Sequence, residues 1–367
     1  MATDWRDRWR AWRNGVIGDP GFQRWAAAFP LTRPVARRRA QALFDLSAGF
    51  VYSQVAQACV TSGLLDRLAE GPRTTTDLGR DIDLEPAAAE RLLKAATALK
   101  LAERCADGRY ALGVEGAALR GAPGVAAMIA HHGLLYADLA DPMALFRRRG
   151  GGRLSGYWPY AEGHGGGDDA TATETYSALM AASQAMVAAQ VLDAWPIQRH
   201  RRLLDLGGGD GTFLRAVAKR APKLELGLFD LPPVAALADR RFAAEGLSVT
   251  VTGGSFFDDA LPTGADVLSL VRVLHDHDDD RVMVLLRAAK AALPPGGTLL
   301  VAEPMSGTRG AEQMGDAYFG IYLLAMGSGR PRTVEEIRSM LRAAGFRTAA
   351  PVRTAMPMIA SLIVARS

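Results

Sequence analysis

From Arg202 onward, short apolar runs alternate with amphipathic stretches of helical length. The runs are 203–206, 224–229, 249–252, 267–271, 298–302 and 359–364, rich in Leu, Val and Ile. Runs this short, separated by helix-sized intervals, predict buried parallel strands joined by crossover helices. Residues 201–367 therefore read as a doubly wound, Rossmann-like α/β domain. Its ligand crevice is expected beyond the carboxyl ends of the strands.

Upstream, the period changes to that of helices. Val51, Val55, Ala58 and Cys59 share one helical face, which Gly63 ends. A short helix over 64–68 follows, Thr74 caps a third, and Glu85-Pro86 opens a fourth carrying Leu92, Leu93 and Leu99. Residues 102–112, with Asp107-Gly108 as their two-residue turn, predict a β-hairpin. Helices followed by a small hairpin make 41–120 a winged-helix-like domain and raise a DNA-binding regulator as one reading. The candidate recognition helix, 87–101, offers Arg91, Lys94 and Lys100 among Ala and Leu. It shows no basic patch with base-reading polar residues, so nucleic acid is not expected as a partner.

Residues 121–200 are helical at both ends around Gly-rich stretches at 147–153 and 163–167, expected to be mobile. A long helix over 173–195 bears Tyr176, Met180, Met186 and Val187 and is closed by Pro196. Methionines at helical spacing are core residues more often than ligand contacts. This helix nevertheless leads directly into the strand at 203, so one end must lie near the crevice.

The first forty residues set Trp5, Trp9, Trp12 and Val16 at helical spacing among Arg6, Arg8, Arg10 and Arg13, with Phe22, Trp25 and Phe29 behind them. Residues 1–40 thus form a basic aromatic arm. Such an arm either lies on an anionic membrane surface or packs on its own fold or a partner subunit.

Composition narrows the classes. With 367 residues, 49% of them hydrophobic, the chain has room for two domains and a sizeable core. Residues 1–40 hold nine Arg against three Asp, so the net charge of +4 is concentrated in the arm. Cys59 and Cys105 offer neither a disulfide framework nor metal-ligand spacing. The chain is charged from Asp4 and opens without an apolar core segment, so a secretory signal is not expected and a cytoplasmic location is. The longest uncharged run, 175–192, carries Ser177, Ser183, Gln184 and Gln190 and reads as a pocket-lining or buried helix, not a membrane span.

The crevice should be built from strand-end residues. The first strand ends in Asp205, followed by a turn containing Gly207, Gly208, Gly209 and Gly211 before a helix starts near Thr212. Without a Cβ the backbone can approach a ligand closely. The dinucleotide fingerprint places its third glycine where this chain has Thr212. With no Lys in the loop and Asp205 placed to meet a cation, the turn suits a zwitterionic sulfonium ligand, S-adenosylmethionine, better than a pyrophosphate.

Asp230 ends the second strand, where a carboxylate can take both ribose hydroxyls, with Leu231 beside it. Ser255 and Phe256 follow the third strand, Phe256 as a candidate cover for an adenine face. The fourth ends in Arg272, counted with the cofactor site, and leads to His275, whose neutral imidazole can accept a hydroxyl proton. Glu303, past the fifth strand, is placed to hold the imidazole's other nitrogen and fix its tautomer. His275, His277 and the Asp run at 278–280 also raise a divalent-metal reading. Their i, i+2 spacing is poor for one helical face, and an Asp-rich helix start is explained by the helix dipole, so no metal is expected.

The segments LLDLGGGDGTF, LFDLPPV, GGSFF, VLHDHDDD, LLVAEP and RPRTVEEIRSMLRAAGF occur in the order and at the spacing of the plant-type (class II) S-adenosylmethionine-dependent O-methyltransferases. The SALMAASQ helix and the 41–120 domain also resemble that family, so the resemblance covers the chain from about residue 41. It implies a homodimer whose winged-helix-like dimerisation domains swap, His275 as the base, Asp230 as the ribose ligand, and Ser255-Phe256 as adenine contacts. Three positions depart from the pattern: Ser255 replaces a usual Asp, Val271 a frequent cofactor-contacting Lys, and Pro331 a second Glu flanking the histidine.

The stretch FQRWAAAFPLTRPVARRRAQALFDLSAGFVYSQ resembles, more narrowly, the hydroxyneurosporene/demethylspheroidene O-methyltransferases of purple phototrophic bacteria, which methylate the tertiary hydroxyl of acyclic carotenoids. That resemblance implies a lipophilic small-molecule substrate and a long apolar channel. Candidate walls are Tyr176, Met180, Met186, Met314, Tyr318, Tyr322 and Met326, the last four on one helical face. It also gives the arm a reason to touch the inner or photosynthetic membrane. The rival readings are methylation of a small aromatic hydroxyl or of a tetrapyrrole, marked by a flat slot in place of a wide tunnel.

Overall fold

The computed structural model describes residues 4–148, 151–157 and 170–367, without the side chains of 157, 170–180 and 182. The Gly-rich stretch 163–167 and the side chains of Tyr176 and Met180 therefore lie outside the described residues. The chain divides into two compact units, Met1–Ala118 and Leu119–Ser367.

In the first unit, α1 (Trp5–Gly18) and α2 (Pro20–Ala28) each start on an aspartate, Asp4 and Asp19, whose side chain accepts a backbone N–H of the first turn. No residue of α1 is buried. The 29-residue α3 (Arg33–Thr61) runs through residue 40, so the arm and the helical domain are continuous in this unit. Gly63, at φ +71°, turns the chain into α4 (Leu64–Ala69). Then come α5 (Thr75–Asp81), capped by Thr74, and α6 (Pro86–Ala98). The expected hairpin is present as antiparallel β1 (Ala102–Arg104) and β2 (Tyr110–Leu112). Leu64, Leu68, Leu78, Leu93 and Tyr110 are buried in this unit.

Helix α7 (Val114–Arg120) leads into α8 (Pro123–Asp138), α9 (Pro142–Arg148), α10 (Arg153–Tyr157) and the long α11 (Ala170–Ala194). Seven strands follow: β3 (Arg202–Leu206), β4 (Glu225–Asp230), β5 (Thr250–Gly253), β6 (Val267–Val271), β7 (Thr298–Glu303), β8 (Thr348–Val352) and β9 (Ser361–Arg366). They form one sheet in the order β5-β4-β3-β6-β7-β9-β8. The first five are parallel, and β9 runs antiparallel to both its neighbours. The intervening helices are α12 (Thr212–Arg220), α13 (Pro232–Ala244), α14 (Asp279–Ala292), α15 (Gly320–Met326), entered through a π-helical turn at Gln313–Phe319, and α16 (Val334–Ala343).

Strand β8 was not expected from the pattern. It buries Ala349 alone and carries Pro351, which a strand tolerates at a sheet edge, where β8 lies. The parallel strands β3, β4, β6 and β7 are buried on both faces, as their continuous apolar runs required, while edge strand β5 buries none of its residues. Leu204, Leu206, Leu268, Leu270 and Leu299 pack with Leu285, Leu286, Ile337 and Leu341. Leu203, Leu226, Leu228 and Leu300 pack with Val187, Val191, Phe213 and Phe242. Each such burial stabilises the fold by about 1.5–3 kcal/mol. Because β3 has β4 on one side and β6 on the other, the winding reverses there, and a crevice opens at the carboxyl ends.

Candidate active site

That crevice is a cavity of about 380 Å³, whose lining includes Gly207, Gly208, Gly209, Asp230, Leu231, Ser255, Phe256, Arg272, His275 and Asp276. Gly209 adopts φ +59°, and its N–H donates to Asp230 Oδ2 at 2.8 Å. Asp230 Oδ1 accepts the Leu231 N–H at 2.7 Å, so the carboxylate is fixed at the strand end. Burial pushes its pKa up to about 6, against the lowering effect of these two N–H groups. At Gly211 a Cβ would stand 2.1 Å from the Phe242 ring, so glycine is required where the turn enters α12. Phe256 presents its ring to the cavity beside Phe229 and His277. The Ser255 hydroxyl donates to Asp258 and accepts from the Phe257 N–H, so it braces the loop.

Asp205 departs from expectation. It lies beneath the glycine turn, 1% exposed, and is not part of the cavity lining. Its Oδ1 accepts the Ser269 hydroxyl of the neighbouring strand, and a Cβ on Gly208 would fall 2.7 Å from its Oδ2. Strand alternation puts Asp205 on the sheet face it shares with its register partner Ser269, while the loop itself carries the cavity surface. Burial, with Asp230 nearby, raises its pKa to about 7.

His275 sits in the 3₁₀ turn Leu274–Asp276 after β6, 3% exposed, with its ring stacked on Phe319 at 6.0 Å. Burial foremost, then Arg272, Arg332 and His277, pushes its pKa down to about 3. Glu303 does not hold the imidazole as expected. Its Oε2 accepts the His275 backbone N–H at 3.1 Å, and its Oε1 has no partner. Glu303 ends β7, and its carboxylate meets the main chain of the turn before it can reach the ring. Imidazole Nε2 instead lies 3.3 Å from Asp276 Oδ1, and Nδ1 is buried without a partner.

Arg272 adopts φ +60°, uncommon for a residue with a side chain, and its guanidinium donates to Ser183 Oγ on α11 at 2.6 Å. Arg272 and Phe319 also line a second cavity of about 470 Å³. Its remaining walls include Val125, Met128 and Ile129 of α8, Met186 and Val187 of α11, Met314, Tyr318, Met358 and Ile359. The expected channel residues are thus divided. Met186, Met314 and Tyr318 line the second cavity, and Tyr322 and Met326 the first. The single helical face expected for the last four is broken by the π-helical turn, which shifts the helical phase before Tyr322.

Three side chains of the site region escaped the sequence reading. His132 Nε2 lies 2.8 Å from Tyr318 Oη, and His131 Nε2 lies 3.2 Å from Tyr322 Oη. Arg332 is fully buried and donates to the Leu274 and His277 carbonyl oxygens at 2.8 and 2.7 Å and to Asp279 Oδ1. It clamps the turn bearing His275 to the start of α16, whose Thr333–Glu336 capping box follows at once. The one sequence signal for it was its place directly before that box. Arg330 and Arg332 pair with Asp279, and His277 packs on Phe256 and Phe257. Among the described residues no group of three His, Cys, Asp or Glu is placed to hold a metal.

The first cavity fits S-adenosylmethionine on its own geometry. It combines a glycine turn with nothing within 4 Å of a Cβ on Gly209, a fixed carboxylate at the second strand end, and an aromatic face at the third. Residues 136–347 match the O-methyltransferase domain family, and the chain belongs to it: a plant-type, S-adenosylmethionine-dependent O-methyltransferase. Over 95% of this chain and 93% of the relative, it is 44% identical to demethylspheroidene O-methyltransferase of Cereibacter sphaeroides. It is also 44% identical to the Rhodobacter capsulatus protein of the same name, over 92% of this chain and 84% of that one. The structure of human N-acetylserotonin methyltransferase in complex with SAM superposes with a TM-score of 0.76 at 25% identity, covering 90% of this chain and 97% of that one.

Proposed function

We propose that the protein transfers the methyl group of S-adenosylmethionine to the tertiary hydroxyl of an acyclic hydroxylated carotenoid of the demethylspheroidene or hydroxyneurosporene type. The observation that carries this reading is the second cavity. Its walls are largely thioether and aliphatic, with Met128, Met186, Met314 and Met358 among them, and Tyr318, Phe319 and His132 beside these. Such walls suit an extended, polarisable hydrocarbon. Val125 and Met358, both substantially exposed, leave the chamber open at its rim for a chain longer than the cavity. The two relatives at 44% identity, named for action on demethylspheroidene, support the same substrate class.

S-adenosylmethionine supplies a methyl group made electrophilic by its sulfonium. Asp230 would hold the ribose hydroxyls, Gly207 and Gly209 the close backbone approach, Leu231, Ser255 and Phe256 the adenine side, and Arg272 the wall toward the substrate. A tertiary alcohol is far too weak an acid for the His275 imidazole, with its pKa near 3, to deprotonate beforehand. The hydroxyl oxygen attacks while protonated, its acidity rises as the carbon–oxygen bond forms, and His275 accepts the proton at that stage. In-line positioning supplies most of the acceleration.

The exposed apolar residues Leu43, Phe44, Leu46 and Phe50 of α3 support a homodimer contact. Exposed Trp5, Trp9 and Trp12 among arginines support contact of the arm with an anionic membrane surface on the cytoplasmic side. Among the described residues no helix is long and apolar enough to cross a membrane. The test is direct: purified protein, S-adenosylmethionine and a hydroxylated acyclic carotenoid in vesicles should yield the methyl ether. Methylation of simple phenols with no carotenoid product overturns the reading.

A further inference from the structure

The second chamber is not wholly apolar. Its polar side chains are His132, Ser183, Arg272, Gln313 and Tyr318. The Arg272 guanidinium donates to Ser183 Oγ at 2.6 Å, and Gln313 is exposed. His132 Nε2 and Tyr318 Oη, 2.8 Å apart, make a second hydrogen-bonded pair on the chamber wall. Tyr318 stands beside the wall that both chambers share. Its ring meets Phe319 edge-on at 5.2 Å and stacks at 5.9 Å on Tyr322, which lines the first cavity. Burial holds both partners of the pair in their neutral forms. It lowers the His132 pKa and, with Tyr322, raises that of Tyr318 above the usual phenol value, against the opposing charge of Arg272. A neutral imidazole offers one N–H and one lone pair, and a phenol one O–H and its oxygen lone pairs. If His132 donates within the pair, the phenol O–H is left for a ligand; if His132 accepts, the phenol lone pairs are left. An alcohol, which both donates and accepts, matches either arrangement, and a hydrocarbon matches neither.

We propose that the His132–Tyr318 pair is the subsite that recognises the substrate's hydroxyl. It seats the oxygen-bearing end of the polyene beside the shared wall, on whose other side the cofactor cavity lies. This rests on the carotenoid reading. Tyr318 makes the contact, and His132 acts through it by fixing the direction in which the phenol presents its free valence. The neighbouring Met128, Met186 and Met314 offer an oxygen only weak thioether acceptors. A hydroxyl seated against them would be stripped of water without replacement. The pair therefore decides two things: which end of the polyene enters first, and the choice of a hydroxylated chain over the unoxygenated hydrocarbon.

The experiment compares the binding of two polyenes to the full chain saturated with S-adenosylhomocysteine, so that no turnover intervenes. One is an acyclic carotenoid bearing the tertiary hydroxyl, the other the same polyene without it. Both are titrated in detergent micelles and followed by quenching of tryptophan fluorescence. The unaltered protein should bind the hydroxylated polyene about tenfold more tightly, the size of effect one buried hydrogen bond gives. Tyr318→Phe should abolish that preference and lower kcat/KM by a similar factor, while S-adenosylhomocysteine affinity stays within about twofold. His132→Leu, which leaves the phenol unheld, should reduce the preference several-fold. Tyr136→Phe is the control. Its Oη has no partner among the described residues and its ring meets His132 edge-on at 5.9 Å, so the loss of that hydroxyl should leave the preference as it is. A preference that survives Tyr318→Phe overturns the proposal. So does one lost equally in Tyr136→Phe, which would assign it to the packing of α8. Equal affinity of the unaltered protein for the two polyenes overturns it as well, whereas failure to bind either polyene overturns the carotenoid reading itself.

Discussion

At the scale of single residues, burial sets the chemistry of the site. The His275 imidazole, held near pKa 3, is neutral throughout the physiological range, so kcat should show no fall between pH 8 and pH 6 of the kind an ordinary histidine gives. Asp230 behaves oppositely. Its pKa near 6 means that the carboxylate ionises above that value and is lost as pH falls through it. Calorimetric affinity for S-adenosylmethionine should therefore weaken below about pH 6, and an affinity flat from pH 8 to 5 would contradict a ribose-binding role for Asp230. Replacing His275 by Ala should lower kcat by about 10²-fold or more, the usual contribution of a positioned base. Cofactor affinity should be retained, and kcat near that of the unaltered protein would remove His275 from the mechanism. The strand-end acids and this histidine were legible because a strand's last residue announces itself locally. What Asp205 and Glu303 bond to was not, because Ser269 and the His275 N–H come from another strand and another turn.

At the scale of elements, the carbonyls of the turn at 274–279 are tied to the start of α16 by one buried guanidinium. Arg332 satisfies two buried carbonyls and anchors Asp279, so Arg332→Met should destabilise the fold by about 3 kcal/mol in urea unfolding, through acceptors left without donors. A loss under about 0.5 kcal/mol, ordinary for a surface change, would mean that the clamp is replaceable. The alternation of strand and helix was readable from period, as was the long α11, and the hairpin from its Asp107-Gly108 turn. Three elements were not. Edge strand β8 has little apolar signal, the π-helical turn has no periodic signature at all, and α8 acquires its polar role only when His131 and His132 meet Tyr322 and Tyr318, nearly two hundred residues away.

At the scale of the molecule, the methyltransferase unit holds two chambers with a shared wall of Arg272 and Phe319, one polar and glycine-edged, the other thioether-lined. The sequence pattern located the first because its residues cluster at strand ends. Of the second it named only Met186, Met314 and Tyr318, because the walls come from α8, α11, the π-helical turn and the loop at 358–359. In the other unit, α1 buries nothing, so deleting residues 1–18 should leave thermal stability nearly unchanged while lowering partition onto anionic vesicles several-fold. Unchanged vesicle binding would assign the arm to protein contacts. The thioether wall has one more consequence. Oxidation turns a methionine into a polar, chiral sulfoxide, and Met358 stands exposed at the rim of the chamber proposed for the carotenoid. Under reactive oxygen the exposed rim sulfur would oxidise, and so wet, before those deeper in the chamber. The entrance would then close to hydrocarbon reversibly, reopening when a sulfoxide reductase restores the sulfur.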